Sequence, residues 1–381
     1  MAEPQPQGGA GGQSRRVIFI DLARALATVF MLYGHAVAAL LAPEYQKGTW
    51  FEIWVFQRGL TSSLFLLLSG FAFSIATSKH WTAHGYLSLA FIRRTRRFLL
   101  FVVLGYALHF PVQRLADLAT APNDRWQSFL AIDVLQLIGV TFLAVQLLVI
   151  ATRSRRAFTT ALFIATLMAI FLTDWIWSLD ASRMPPWIAS YLSPKTGSQF
   201  PIFPWAAFIL TGAMLGQFYA ASGAAPIARY ANRALLVPGV ALFAAALAIG
   251  ALPMSLVGDA WDAMPTQVAL RMGPSLIVLG AIAHASRRVV RLPRVFGAVA
   301  QETLLIYFVH LCIVYGSIWN SGLVQRFGPT LNPVEMLACV MVLIAAMVVL
   351  AFYWNRWKHV RPRSARWVSI GAGGLLLYRL F

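Results

Sequence analysis

An arginine and a histidine stand eleven positions apart in one apolar stretch: Arg24 and His35 in RALATVFMLYGHA, residues 24–36. An ionisable side chain at membrane depth is costly and usually serves a function or pairs with another. On an α-helix, eleven residues turn through about 1,100°, roughly 20° past three full turns, and rise about 16.5 Å. Arg24 and His35 therefore share one wall, about half a bilayer apart. An imidazole titrates near neutrality and suits a general base or a transient acyl carrier. A guanidinium suits an anion.

Other polar groups fall at the depth of His35. They are His109 in GYALHFP, Asp133 and Gln136 in IDVLQLIG, Arg271, and His310 in LLIYFVH, with Gln57 and Arg58 opening the second apolar stretch. Asp21, Arg24, Ser69 and Glu302 lie deeper, toward the side where the chain begins. This set holds candidate bases, an acid and anion-binding cations, with no nucleophilic cysteine and no metal cluster. Each member also has a plain structural use. Asp21 and Arg24 neutralise each other at i,i+3, or Arg24 snorkels to the interface. His109 and His310 bridge helices, and Asp133 with Gln136 forms a helix–helix hydrogen-bond pair. His284 lies beside Arg287 in a basic segment, and His80, His84 and His359 lie in others.

The elements that must carry these residues are membrane spans. The 381 residues are 59% hydrophobic and 12% charged, with a mean hydropathy of +0.69, too apolar for one soluble core. Ten stretches approach the ~20 residues needed to cross the hydrocarbon: about 17–40, 56–77, 97–113, 129–151, 157–177, 200–221, 234–254, 265–285, 296–319 and 334–355. Their backbones must be helical, since lipid cannot satisfy them. The expected fold is all-α, a polytopic bundle of about ten transmembrane helices. Residues 366–380 form either an eleventh span or an interfacial helix. Cys312 and Cys339 both sit in apolar stretches and build no disulfide framework.

The loops sort by charge. Of 31 basic residues, 21 fall in one alternate set, including Arg93, Arg94, Arg96 and Arg97, Arg287 to Arg294, and Arg356 to Arg366. Glu44, Glu52, Asp117, Asp124, Asp180, Asp259, Asp262 and Glu335 fall in the other. Positive loops stay cytoplasmic, so the N-terminus is inside. The net charge of +18 then sets topology and faces anionic lipid, and no nucleic-acid partner is needed. The outer loop from about 178 to 199, rich in proline and aromatics, suits a cover over a site. There is no convincing internal repeat.

The order of these motifs resembles the integral-membrane acyltransferase superfamily, the acyltransferase-3 family and its heparan-α-glucosaminide N-acetyltransferase-like relatives. FIDLARALATVFMLYGHA has the aspartate, arginine and histidine of the first helix as Asp21, Arg24 and His35. LFLLLSGFAFS (64–74) is similar to the second helix with its Ser-Gly, and FIRRTRRFL (91–99) to the basic loop after it. VLQLIGV (134–140) and FPIFPWAAFILTGAMLG (200–216) look more like the heparan-type branch. ETLLIYFVHLCI (302–313) resembles the late helix ending in Tyr-x-x-His, Tyr307 and His310. One departure is the short loop between the first two spans, which lacks the longer histidine-bearing segment of the heparan-type enzymes.

The resemblance implies transfer of an acyl group, commonly acetyl, from cytoplasmic acyl-CoA to a hydroxyl or amine of a sugar at the outer face. The acceptor is a glycan or lipid-linked saccharide, the enzyme needs no metal, and the expected location is a bacterial inner membrane. His35 is the expected base or acyl carrier, with Asp133 or His310 orienting it. Arg24, with Ser69, Arg94 and Arg97, is expected to hold the donor. Arg58 and Arg271 bind an anionic acceptor or the developing oxyanion, with His109 and Gln136 also on the acceptor side. The chain divides into a disordered cytoplasmic tail (1–14), a transmembrane acyltransferase domain (15–360) and a C-terminal basic segment with a short apolar helix (361–381). The alternative is a proton-coupled transporter of a small solute or glycan precursor; against it stand the missing repeat and a single strong proline break, FPIFPW. A non-catalytic scaffold is the third reading.

Overall fold

The computed structural model of the chain describes residues 17–223, 226–252, 264–289 and 291–378. The tail at 1–14, Arg15 and Arg16, the acidic residues Asp259 and Asp262, and Arg379 lie outside the described residues. Within them the fold is all-α, a polytopic membrane bundle. The long helices are α1 (Ile18–Leu40), α2 (Thr49–Lys79), α3 (Leu89–Leu108), α4 (Val134–Thr152), α5 (Arg155–Phe171) and α6 (Ile202–Ala221). They continue with α7 (Ile227–Ala251), α8 (Met264–Ala285), α9 (Arg294–Gln301), α10 (Thr303–Tyr315), α11 (Pro333–Val360) and α12 (Pro362–Tyr378). β-Pairing among the described residues is limited to isolated bridges, Leu41 with Leu331 and Ser317 with Asn320.

Seven of these helices are long and apolar enough to cross a membrane, and the α9–α10 pair, bent by 73°, makes an eighth if it is one span. The other two expected spans are helical but shifted. α3 begins at Leu89 because Ser88 caps it, accepting from the Phe91 N–H, and so the arginines at 93–97 are helical. α5 stops at Phe171, and a separate short helix, Thr173–Ser178, follows. The expected span at 296–319 is broken in two at Glu302. That buried carboxylate accepts from Lys358 Nζ at 2.7 and 2.8 Å and from Asn355 Nδ2 at 2.9 Å, which ties the break to α11. α12 runs back from the basic end of α11. Its 17 residues rise about 25 Å, and the Leu376 carbonyl accepts from the Trp319 indole at 3.0 Å, in the turn beyond α10. That contact sets the far end of α12 beside the turn that follows α10.

Helices in lipid gain little by hiding apolar surface from one another, so close association depends on small residues and van der Waals contact. The tightest pair, α2 with α6, follows this rule. A Cβ on Gly70 would collide with the Ile209 carbonyl oxygen, and one on Gly212 with the Leu67 carbonyl oxygen. α1 is central and touches α2, α8, α9, α10 and α11. The helix carrying Arg24 and His35 is therefore walled by protein on most sides.

Candidate active site

A cavity of about 1070 Å³ opens at the end of the bundle where α1, α3 and α10 finish and α2, α4 and α6 begin, the end expected to face outward, and His35 of α1 lines it. Its other ionisable lining residues are Arg58, His109, Arg125, Asp133, Arg271, Tyr307 and Tyr315, among phenylalanines and Trp205. Three arginines and one carboxylate make this an electropositive chamber.

Local chemistry explains how the carboxylate is held. Residues before α4 leave the helix, and Asp133 becomes its N-cap. Asp133 Oδ1 accepts from the Val134 N–H at 2.7 Å, and Gln136 Oε1 accepts from the Asp133 N–H at 3.3 Å. Aspartate and glutamine at this spacing form a capping box, not the helix–helix pair considered from sequence. Gln136 is buried behind Asp133 and does not line the cavity. The outer loop is stitched to the same turn: the Ile132 N–H donates to Ser198 Oγ at 2.9 Å, and the Gln199 and Phe200 N–H groups donate to the Ile132 carbonyl. This loop supplies Gly197, Gln199 and Phe200 to the cavity wall, in keeping with a covering role. At the far side of the loop, Tyr106 donates to Tyr191 at 3.3 Å. Burial, then the Tyr106 hydroxyl, raise the Tyr191 phenol above its ordinary range.

The second oxygen of Asp133 faces the site. Oδ2 accepts from the Tyr307 hydroxyl at 3.1 Å and lies 3.6 Å from His109 Nε2. His109 is the exposed C-cap of α3. Tyr307 packs edge-on against His310 with ring centres 5.7 Å apart, and His310 packs against His35 at 5.2 Å. His310 is fully buried, and its Nδ1–H donates to the Ile306 carbonyl at 2.8 Å. His35 completes the line with Tyr315, whose hydroxyl lies 3.2 Å from His35 Nδ1. A row of contacts thus runs from His109 through Asp133, Tyr307 and His310 to His35 and Tyr315, with ring packing rather than hydrogen bonds on either side of His310. It joins α1, the Asp133 cap of α4, α10 and the end of α3.

Arg58 and Arg271 line the same cavity. Arg58 lies over the Trp54 ring at 5.6 Å, and Arg271 lies near the Trp205 ring at 5.9 Å. Gly59 leaves room for Arg271, whose Nε would lie 3.8 Å from a Cβ there. No ion pair is formed by Arg58, Arg125 or Arg271 among the described residues.

The residues expected on the donor side lie elsewhere. The cavity lining reaches inward to Met31 and Phe65, and Arg24 lies about two turns of α1 further in. Asp21 lies one turn before Arg24 on α1, and Arg97 lies on α3. Arg94 is committed to the bundle: it donates to Thr77 Oγ1 at 2.9 Å and to the Phe73 carbonyl at 3.3 Å, over the Phe73 ring at 4.4 Å. Ser69 turns back to the Phe65 carbonyl at 2.8 Å. The structure thus brings His35, Asp133, His310, Arg58, His109 and Arg271 to one region, and separates from it Arg24, Arg94, Arg97, Ser69 and the capping Gln136.

Sequence reasoning missed Tyr315 and Arg125 and gave Tyr307 no role. One signal was present: Tyr307, Leu311 and Tyr315 recur at i, i+4 and i+8, one helix face, and all three line the cavity.

No individual curated protein matches the chain. Residues 16–249 match the family described as heparan-alpha-glucosaminide N-acetyltransferase, catalytic. The match holds α1 to α6 and nearly all of α7, with His35, Arg58 and Asp133; Arg271, Tyr307, His310 and Tyr315 lie past its end. It also falls on the heparan-type branch, despite the short first loop. The chain belongs to the heparan-alpha-glucosaminide N-acetyltransferase catalytic family, a family of membrane acetyltransferases.

Proposed function

We propose that the protein moves an acetyl group from cytoplasmic acyl-CoA to an amine or hydroxyl of a sugar, on a glycan or lipid-linked saccharide at the outer face of a bacterial inner membrane. The observation that carries this reading is the position of His35. It lines the cavity beside the Asp133–Tyr307 pair and shares that cavity with two arginines that have no carboxylate partner among the described residues. His35 takes the acceptor proton while the acceptor nitrogen or oxygen bonds to the acyl carbon. The C–S bond then breaks and the CoA thiolate leaves, to be protonated. Arg271 and Arg58 meet the oxyanion formed at the acyl carbonyl, or an anionic group on the acceptor. Asp133 acts through Tyr307 and His310 to hold the imidazole. Arg24 and Arg97, with the basic inner ends of α2 and α3, receive the phosphates of the donor.

The test is release of free CoA from acetyl-CoA by purified protein given a glucosamine-terminated oligosaccharide or a neutral one. Acceptor-dependent release that disappears in His35→Ala supports the reading. Equal release by wild type and His35→Ala overturns it.

A further inference from the structure

The row of contacts ends on Tyr315, a residue outside the family match, and its hydroxyl makes two contacts with one partner. Tyr315 Oη lies 3.2 Å from His35 Nδ1 and 3.4 Å from the His35 backbone carbonyl oxygen. The rings meet edge to face at 90° with centres 5.6 Å apart. We propose that Tyr315 is a positioning residue that holds His35 in its Nδ1–H tautomer and so leaves Nε2 as the basic atom of the site; this rests on the reading of His35 as general base.

A phenol carries one proton and oxygen lone pairs, and a carbonyl oxygen only accepts. With the Tyr315 proton turned to the His35 carbonyl, both contacts can be made at once. The remaining contact is satisfied when the Tyr315 lone pair accepts from His35 Nδ1–H. In the opposite tautomer the phenol proton goes to Nδ1 and the carbonyl contact is left unmade. Which ring nitrogen carries the proton follows from the partner of the other. The imidazole next to His35 offers it no proton. His310 gives its Nδ1–H to the Ile306 carbonyl, and its buried Nε2 has no partner among the described residues. Neutral His310 thus holds a lone pair at Nε2 and has no second proton to offer His35. The Nε2 of His35 is left with its lone pair in a cavity-lining ring, where an acceptor proton can be taken.

The experiment is NMR of protein labelled with ¹⁵N-histidine, in lipid nanodiscs, with the His35 signals assigned by their loss in His35→Gln. The expected wild-type spectrum shows His35 protonated at Nδ1. In Tyr315→Phe, which keeps the ring, a large share of the signal moves to the Nε2–H form. The same variant loses about tenfold in kcat for acetyl transfer to a glucosamine-terminated oligosaccharide, the scale of one neutral hydrogen bond, with KM for acetyl-CoA unchanged. A wild-type His35 protonated at Nε2, or a tautomer unmoved in Tyr315→Phe, overturns the proposal. Acyl transfer that survives His35→Ala overturns the base assignment instead, and the tautomer shift still reads the role of Tyr315 separately.

Discussion

The outer and inner ends of the bundle both gather arginines, and they use them differently. Outside, Arg58 and Arg271 lie against tryptophan rings at the wall of a large cavity. Inside, Arg94 is consumed by the α2 backbone and two phenylalanine rings, and Arg155 donates to the Ser78 carbonyl at 2.8 Å. Arg155 thereby satisfies a carbonyl in the last turn of α2, where helix carbonyls lack partners. The same residue type fastens helices at one end of the molecule and remains available to a ligand at the other. Charge composition alone cannot separate these uses; the hydrogen-bond partners can.

The comparison is sharpest where a single substitution should affect one end alone. His35→Ala should have the largest effect, a fall in kcat of about 10²–10⁴ from loss of the base, measured as CoA release at saturating donor. Retained activity would remove the outer cavity from the chemistry. Arg271→Met should lower kcat by about 10²–10³ if it meets the oxyanion. A rise in KM for the acceptor at constant kcat would assign it to acceptor binding instead. On the inner side, Arg24→Gln should raise KM for acetyl-CoA about tenfold, as expected for one charge-assisted contact, and leave KM for the acceptor alone. The donor constant should also weaken with salt, because exposed charge pairs are screened. An equal shift in both constants would erase the division between the two ends. The smallest effect belongs to the structural ion pair: Lys358→Ala should cost about 1–3 kcal/mol by leaving the Glu302 carboxylate short of a partner, read as a lower Tm with kcat/KM little changed.

Much of the bundle was legible in the sequence because span length and apolarity are local quantities. Boundaries moved where capping intervened: Ser88 extends α3 through its arginines, and Asp133 delays α4. Tyr315 and His35 are 280 positions apart in the chain, and no local periodicity relates them. Asp133 and Gln136 were visible as a polar pair, but a capping box and a contact between helices share the same spacing until the backbone is seen to leave the helix at Asp133.

By itself the sequence determined an all-helical membrane protein and one wall shared by Arg24 and His35, and its loop charge set the expectation of an inward N-terminus. Each follows from hydropathy, charge or the 3.6-residue period. The tertiary structure alone decided that His35 meets His310 and Tyr315, that Asp133 reaches Tyr307, and that Arg94 is bound into the bundle while Arg271 faces a cavity. The reason is physical. An apolar helix face is satisfied equally by lipid or by another helix, so pattern tells which residues enter the membrane, and packing of small residues such as Gly70 and Gly212 tells which helices meet there.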